Sequence, residues 1–226
     1  MKHSISPLFF ILTVIFTTCL LISNLAASKI VTVFSISAPS AIFLFPLTYI
    51  INDCIAEVWG FRKARLMIWL AFGMNFLSVL FYQLVIVLPP APFWTEQAAF
   101  STVLSQTPRI AMASFLAFLT GSFLNAYIMS KMKLAMNGRK FSVRAIVSTI
   151  AGETADSAIF ITIAFAGYLT VQQIVMMILT QAAFKTLYEI VILPVTQRIV
   201  VYIKRVENTD AYDTDISYSI WKIKEI

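Results

Sequence analysis

Apolar residues run along the chain in six long blocks, separated by short polar segments that hold most of the charges. Each block has roughly the 20 residues that an α-helix needs to cross a bilayer. None shows the regularly spaced polar face of a helix on the surface of a soluble protein. The pattern therefore predicts an all-α integral membrane protein of six transmembrane helices. The predicted spans are residues 7–27, 39–59, 64–88, 108–132, 142–169 and 171–203.

These spans organise the chain into one transmembrane domain, residues 1–206, and a polar cytoplasmic tail, residues 207–226. We expect the tail to be a mobile or surface segment. The first block is interpreted as a span and not as a cleaved signal, because further spans follow it directly. Pro46 and Pro194 lie inside predicted spans, where proline kinks a helix and frees a backbone carbonyl.

The fourth predicted span carries a ribbon of small residues, which lets another helix approach closely. The pattern leaves open whether that helix belongs to the same chain or to a second protomer, so a homo-oligomer is one possibility. The ribbon consists of Ala113, Ala117, Gly121 and Asn125.

Composition supports the membrane interpretation, since 59% of the residues are apolar and only 12% are charged. The net charge of +6 does not indicate nucleic-acid binding, because the basic residues sit in short clusters between apolar blocks. Cys19 and Cys54 lie within apolar blocks and His3 is the only histidine. These residues suit neither a disulfide framework nor a metal site, and we expect no cofactor.

The basic clusters also predict orientation, because positive loop charges stay in the cytoplasm. Placing the N-terminus inside leaves only Lys29, Arg109 and Lys185 elsewhere. Both termini are then cytoplasmic, which requires an even number of spans. The residues placed in the cytoplasm are Lys2, Arg62, Lys63, Arg65, Lys131, Lys133, Arg139, Lys140, Arg144, Arg198, Lys204, Arg205, Lys222 and Lys224.

The fifth and sixth predicted spans carry charges near the middle of the membrane, where each costs about 2.5–3.5 kcal/mol. Glu153 and Asp156 share one helix face, as do Lys185 and Glu189. We expect these four side chains to converge in one polar pocket. The alternative is that Lys185 only pairs with Glu189 or Glu153 to hold the helices together.

The second predicted span carries Asn52, Asp53 and Glu57, with the two acids one helical turn apart. They lie in its inner third. Glu57 could instead pair with Arg62 at the interface, whereas Asp53 is deeper. Asn24, near the outer end of the first span, is a further pocket candidate.

Motifs of several enzyme classes are missing from the sequence. There is no phosphate-binding glycine loop, so the chain does not itself hydrolyse ATP. There is also no HExxH motif and no pairing of a nucleophile with a histidine. The sequence predicts a transporter and not an enzyme.

Two segments resemble the signature of the queuosine precursor transporter family. They read FPLTYIINDCIAEVWGFRKAR at residues 45–65 and GETADSAIF at residues 152–160, followed by AFAG at 164–167. The resemblance extends over nearly the whole chain except the acidic tail. It implies uptake of 7-cyano-7-deazaguanine or 7-aminomethyl-7-deazaguanine across the bacterial inner membrane for salvage into a modified tRNA base. It also implies a fold like the substrate-binding components of energy-coupling-factor transporters.

A deazaguanine suits the predicted pocket, because a carboxylate can accept from its N1–H and 2-amino group together. Its O6 suits Lys185 or an amide, and aromatic rings can stack on the heterocycle. The candidate substrate-binding residues are Asn24, Tyr49, Asn52, Asp53, Glu57, Glu153, Asp156, Phe160, Gln181, Lys185, Tyr188 and Glu189.

Two other functions remain open at this point. The chain could be the binding subunit of an ATP-driven transporter, although the contact motif for an energy-coupling module is not evident in the first helix. It could also be a proton-coupled carrier of another cationic or heterocyclic solute, because the buried acids outnumber the buried bases.

Overall fold

The computed structural model describes residues 6–26, 29–33, 36–105 and 108–222. Lys2, His3 and Lys224, which the sequence places on the cytoplasmic side or in the N-terminal tail, lie outside this part. The helices are α1 (Pro7–Ala26), α2 (Phe45–Val87), α3 (Gln97–Leu104), α4 (Pro108–Ala135), α5 (Phe141–Phe165) and α6 (Val171–Glu207). Between α1 and α2, strands β1 (Ile30–Val33) and β2 (Ile36–Pro39) pair antiparallel and lead into a 3-10 turn, Ser40–Phe43.

Five stretches of the described chain are long and apolar enough to cross a membrane. They are Pro7–Ala26, Phe45–Val87, Gln97–Ala135, Phe141–Phe165 and Val171–Glu207. The second, α2, has 43 residues and contains one break, at Gly60. A straight helix of that length would measure about 65 Å, roughly twice the thickness of a bilayer core.

The part of α2 before the break, α2a (residues 45–59), runs in the same direction as α4. The hydroxyl of Tyr49 lies beside Gly121 of α4. One turn further on, Asn52 donates to the side chain of Asn125 at 2.8 Å. The residue numbers of the partners on α4 therefore increase along α2a, so the two helices run in parallel.

The part of α2 after the break, α2b (residues 61–87), runs against α4. The ring of Phe61 lies 6.4 Å from that of Phe123, whereas the ring of Phe76 lies 5.7 Å from that of Phe115. Along α2b the residue numbers of the partners on α4 decrease. The chain direction therefore reverses at Gly60, and α2 is a pair of antiparallel helices.

Residues of the C-terminal tail complete this reversal. Asp213 accepts a hydrogen bond from the backbone N–H of Phe61 at 2.8 Å, which satisfies one of the free donors at the start of α2b. The N–H of Ala211 donates to the carbonyl of Val58 at the end of α2a, at 3.0 Å. Residues 208–222 therefore form a surface segment, as predicted, but one that packs against the helices and is held by specific hydrogen bonds.

Further contacts hold the tail along α2b. Arg65 donates to the carbonyls of Ser217 and Ser219, and the indole N–H of Trp69 donates to the carbonyl of Ile220 at 2.8 Å. The tail is polar in composition, but these contacts are made by its backbone carbonyls. Such contacts cannot be predicted from the types of side chain in the tail.

One end of the helix bundle collects most of the positive charge, and we call it the basic end. It consists of the turn at Gly60, the turn between α4 and α5, and residues 208–222. The start of α1 also lies there, since the ammonium of Lys63 is 5.5 Å from the ring centre of Phe9. This agrees with the sequence-based grouping of the basic segments on one side of the membrane.

Asp210 joins the tail to the basic end through ion pairs with Lys133 and with Lys204. Partial burial acts to raise the pKa of the Asp210 carboxyl, but the hydrogen bonds and charges of the two lysines hold it below its ordinary value. Because the folded-state pKa is lowered, these ion pairs are complete at neutral pH and are lost only as the pH falls through that lowered value.

The small-residue ribbon of α4 packs against α5 of the same chain. A side-chain carbon at Gly121 would lie 2.9 Å from the carbonyl oxygen of Gly152, and one at Gly152 would lie 2.8 Å from that of Gly121. The two backbones therefore meet at contact distance. The prediction of a close helix approach is confirmed, and its partner is internal.

Other details differ from the sequence-based expectation. Strands β1 and β2 and helix α3 were not predicted, because the β segment is short and α3 lies in a loop with several prolines. Pro46 does not interrupt a helix but occupies its first turn, where its missing N–H has no partner to lose. Pro194 does lie inside α6.

Substituting Gly60 with alanine should lower the free energy of unfolding by about 1–3 kcal/mol. Gly60 has φ 81° and ψ 178°, a region that only glycine adopts readily, and an added carbon would lie 2.6 Å from Oδ1 of Asp213. Thermal unfolding of the purified protein in detergent measures the effect.

Two glycines serve as matched controls for this substitution. Gly167 also has positive φ, 87°, but has open space around it, so Gly167→Ala should cost only the conformational part, about 1 kcal/mol. Gly73 is helical with nothing within 4 Å, and Gly73→Ala should not destabilise the protein. Equal stability of the Gly60 and Gly73 variants would contradict the proposed reversal.

Candidate functional site

A buried cluster of charges, the Lys185 cluster, joins α2, α5 and α6. The ammonium of Lys185 on α6 lies 2.6 Å from a carboxylate oxygen of Glu153 and 2.8 Å from one of Asp156, both on α5. On its other side the ammonium is 4.7 Å from the ring centre of Phe45, at the start of α2a. The expected convergence of spans five and six is therefore observed.

Tyr49 lies next to Phe45 at this cluster. It is one turn beyond Phe45, is buried, and its hydroxyl makes no hydrogen bond within the described residues. The ring fits beside the α4–α5 contact, because a side-chain carbon at Gly152 would lie 3.1 Å from it. The two glycines thus create the space that admits an aromatic ring next to the charges.

A polar layer that contains Asp53 and Glu189 lies between the Lys185 cluster and the basic end. The two carboxyl groups are close neighbours, across α2a and α6. Ser148 of α5 donates a hydrogen bond to Asp53. Asn125 of α4 lies beside Asp53, and Thr149 of α5 lies beside Glu189. Glu189 therefore does not pair with Lys185, although the two residues share a helix face.

Asn52 belongs to the same layer but faces α4. Its amide donates to the carbonyl of Ser122 at 3.0 Å and to the side chain of Asn125 at 2.8 Å. Asn125 was predicted only as part of the small-residue ribbon. Its role in the layer becomes visible once α2a and α4 are known to lie side by side.

A second cluster, the Glu57 cluster, lies at the basic end. The carboxylate of Glu57 forms an ion pair with Arg144 of α5 and another with Lys204 of α6, the latter at 2.5 Å. Lys133 of α4 lies 3.7 Å from the same carboxylate and also pairs with Asp210 of the tail. One carboxylate thus meets three cations from three different helices.

The Glu57 cluster decides one alternative and adds two residues to the buried charges. Glu57 does not pair with Arg62 but with partners on other helices. Lys133 and Arg144, which the sequence places on the cytoplasmic side, are 2% and 0% exposed and belong to the packed bundle. Sequence reasoning missed them because both lie close to predicted span ends, where basic residues are ordinary.

The remaining candidates make other contacts. Asn24 of α1 donates to the side chain of Asn75 of α2b at 2.8 Å, in a small pocket that Ser78 and Tyr82 also line. The ring of Phe160 packs edge-on against that of Phe165. Two further candidates are half-buried on α6: Tyr188, which packs on an apolar core between α2a and α6, and Gln181, one turn before Lys185.

Comparison with known proteins now adds to this geometry. The model of the family described as "Putative vitamin uptake transporter" matches residues 39–199, well over half of the chain. The chain belongs to this transporter family. The matched region contains the whole Lys185 cluster and the Asp53–Glu189 contact, whereas Lys204 and the tail lie beyond it.

A curated relative points in the same direction. A "Probable queuosine precursor transporter" of Bacillus subtilis (strain 168) is 28% identical over 146 residues, which cover 64% of this chain and 64% of the relative. The match thus spans less than two thirds of that protein. No solved structure matches the transporter.

These findings establish the general class of the protein. It is a transporter and not an enzyme, since both the family and the relative are transporters. Its five long apolar stretches make it a multi-pass membrane protein. The sequence-based recognition of a transporter related to queuosine precursor uptake is confirmed at this level.

Substituting Glu57 with glutamine should destabilise the transporter by about 3–5 kcal/mol, because it leaves buried cations without their counter-charge. Membrane abundance and the midpoint of thermal unfolding in detergent should both fall. Glu96, which is exposed in the loop before α3, is the matched control, and Glu96→Gln should change stability by less than about 0.5 kcal/mol. A Glu57→Gln protein as stable as the control would contradict a structural role for this cluster.

Proposed function

We propose that this transporter imports queuosine precursors, 7-cyano-7-deazaguanine or 7-aminomethyl-7-deazaguanine, for salvage into modified tRNA. The observation that carries the proposal is the Lys185 cluster, an ammonium held between two carboxylates beside aromatic rings inside a transporter. The name of the relative and the two sequence segments that resemble the queuosine precursor transporter family support the choice of substrate.

The cluster offers complementary groups for each edge of a deazaguanine. Glu153 can accept from the N1–H and the 2-amino group at once. Lys185 can donate to O6. The rings of Phe45 and Tyr49, whose centres are 6.1 Å apart, provide flat apolar surface for the heterocycle.

Substrate entry requires an exchange of partners. In this structure Lys185 is engaged by both carboxylates, so the precursor must replace at least one of these ion pairs. A 7-aminomethyl group is itself a cation and can take the place of Lys185 at Asp156. The cost of separating the buried pair is then offset by the new hydrogen bonds of the bound precursor.

The membrane arrangement follows from the reversal at Gly60. The 3-10 turn and α2a together rise about 30 Å, the thickness of a bilayer core. In our proposal α2a and α2b are therefore separate crossings, which gives six, with both termini and the basic end in the cytoplasm. The membrane is the bacterial inner membrane, and the architecture is that of the substrate-binding components of energy-coupling-factor transporters.

Replacing Glu153 with glutamine should abolish import, because one of the two acceptor oxygens becomes an NH₂ group, which is itself a donor and cannot pair with the N1–H or the 2-amino group. The measurement is uptake of labelled 7-cyano-7-deazaguanine into vesicles, with precursor-dependent tRNA modification in cells as a second readout. Expected uptake falls at least tenfold at unchanged membrane abundance.

The control variant is Glu96→Gln, which should transport normally. Excess guanine, which presents the same edge, should compete with the precursor, whereas adenine should not. Full uptake by Glu153→Gln would contradict the proposed site, and no uptake by the unsubstituted protein would contradict the proposed function.

Cysteine labelling tests the proposed topology. Both native cysteines are buried, so single cysteines at exposed Asn137 and Glu96 can be distinguished from them. A membrane-impermeant thiol reagent should label Glu96→Cys in intact cells and Asn137→Cys only after permeabilisation. The reverse pattern would contradict the orientation, and labelling of both in intact cells would contradict the alternation of crossings.

A further inference from the structure

Asp53 and Glu189 form a contact that transport of a neutral heterocycle does not require. Asp53 is fully buried and Glu189 is 3% exposed. Their carboxyl groups are close neighbours across the interface of α2a and α6. Two ionised carboxylates repel each other at this separation, and neither carries a donor that could bond to the other.

The pair also has no counter-charge. Within residues 6–26, 29–33, 36–105 and 108–222, no lysine or arginine forms an ion pair with Asp53 or Glu189. By contrast, Glu57, Glu153 and Asp156 each meet at least one cation. A buried carboxylate without a partner costs several kcal/mol, so two such anions in contact do not persist.

Each carboxyl group leaves one oxygen without a donor. Asp53 Oδ2 and Glu189 Oε2 are buried and accept no hydrogen bond from the described residues. Ser148 supplies a hydrogen bond to the other oxygen of Asp53. A single proton shared by the two carboxyl groups supplies the missing donor and removes one of the two charges.

We propose that Asp53 and Glu189 bind one proton between them and that the transporter couples precursor movement to that proton. This inference rests on the proposed function and adds its energy source. The proton binds with the precursor from the outer side and leaves to water on the cytoplasmic side.

The surroundings assign this role to the pair and not to its neighbours. On α2a the nearby titratable groups are Tyr49, Cys54 and Glu57. On α5 they are Glu153, Asp156 and Arg144, the last of which pairs with Glu57. On α6, Lys185 lies one turn before Glu189. α4 contributes the neutral Asn125, and α1 carries no charged residue. Each of the carboxylates Glu57, Glu153 and Asp156 thus has a cation partner, whereas Asp53 and Glu189 have none among the described residues.

The position of the pair explains how a proton can control the substrate site. α2a and α6 touch at three successive levels: Phe45 with Lys185, Asp53 with Glu189, and Glu57 with Lys204. Only the middle contact depends on a proton. Loss of the proton places two negative charges opposite each other, and their repulsion pushes α2a and α6 apart one turn from Lys185.

Two measurements test the inference. In vesicles, an inwardly directed proton gradient should drive accumulation of labelled 7-cyano-7-deazaguanine, and a protonophore should abolish it. In Asp53→Asn and Glu189→Gln, gradient-driven accumulation should fall at least tenfold more than exchange of labelled for unlabelled precursor. Glu96→Gln should behave as the unsubstituted protein in both assays.

The second measurement does not depend on the substrate. Infrared spectroscopy of the purified protein should show the carbonyl band of a protonated carboxylic acid, which both variants lose and Glu96→Gln keeps. Absence of the band would overturn the inference. Accumulation insensitive to the gradient would overturn the coupling while leaving the proposed function intact. A band without any precursor exchange would overturn the proposed function and the coupling together, and would support only the proton site.

Discussion

The structure depends on the buried carboxylate of Glu57, which meets cations from α4, α5 and α6. A carboxylate that is 1% exposed is tolerated only when its charge is matched and its oxygens receive hydrogen bonds. The three cations satisfy both conditions, and in doing so they fix the ends of four helices relative to one another. The basic end therefore ties four helices together, and the Lys185 cluster is positioned relative to it.

The two charged clusters differ in how completely their charges are matched. The Glu57 cluster has more positive than negative groups and is tied further by backbone carbonyls, which suits a structural role. The Lys185 cluster has two carboxylates for one ammonium, and the hydroxyl of Tyr49 beside it has no hydrogen-bond partner in the part of the chain that the structure describes. An incompletely satisfied polar site is less stable by itself, and a ligand with donors can complete it.

Sequence reasoning predicts the depth and the face of the buried charges, because helical rise and periodicity fix both. It therefore anticipates that Glu153, Asp156 and Lys185 converge, although their substrate role stays a prediction. It does not anticipate that Arg144 pairs with Glu57, which is 87 positions away, since that requires knowing which helix ends meet. The spacing of Lys185 and Glu189 also suggests a pair, but contacts with neighbouring helices decide otherwise.

The contacts at Gly60 have a consequence for how the protein matures. The groups that satisfy the break in α2 belong to Ala211 and Asp213, the latter 152 positions after Phe61. During translation the chain inserts α2 long before these residues leave the ribosome, since synthesis proceeds at about 5–20 residues per second. Until then the backbone groups at the break have no partner in the protein, and water at the membrane surface can form hydrogen bonds with them. Maturation of the bundle is completed by its last-made contacts, not by its first.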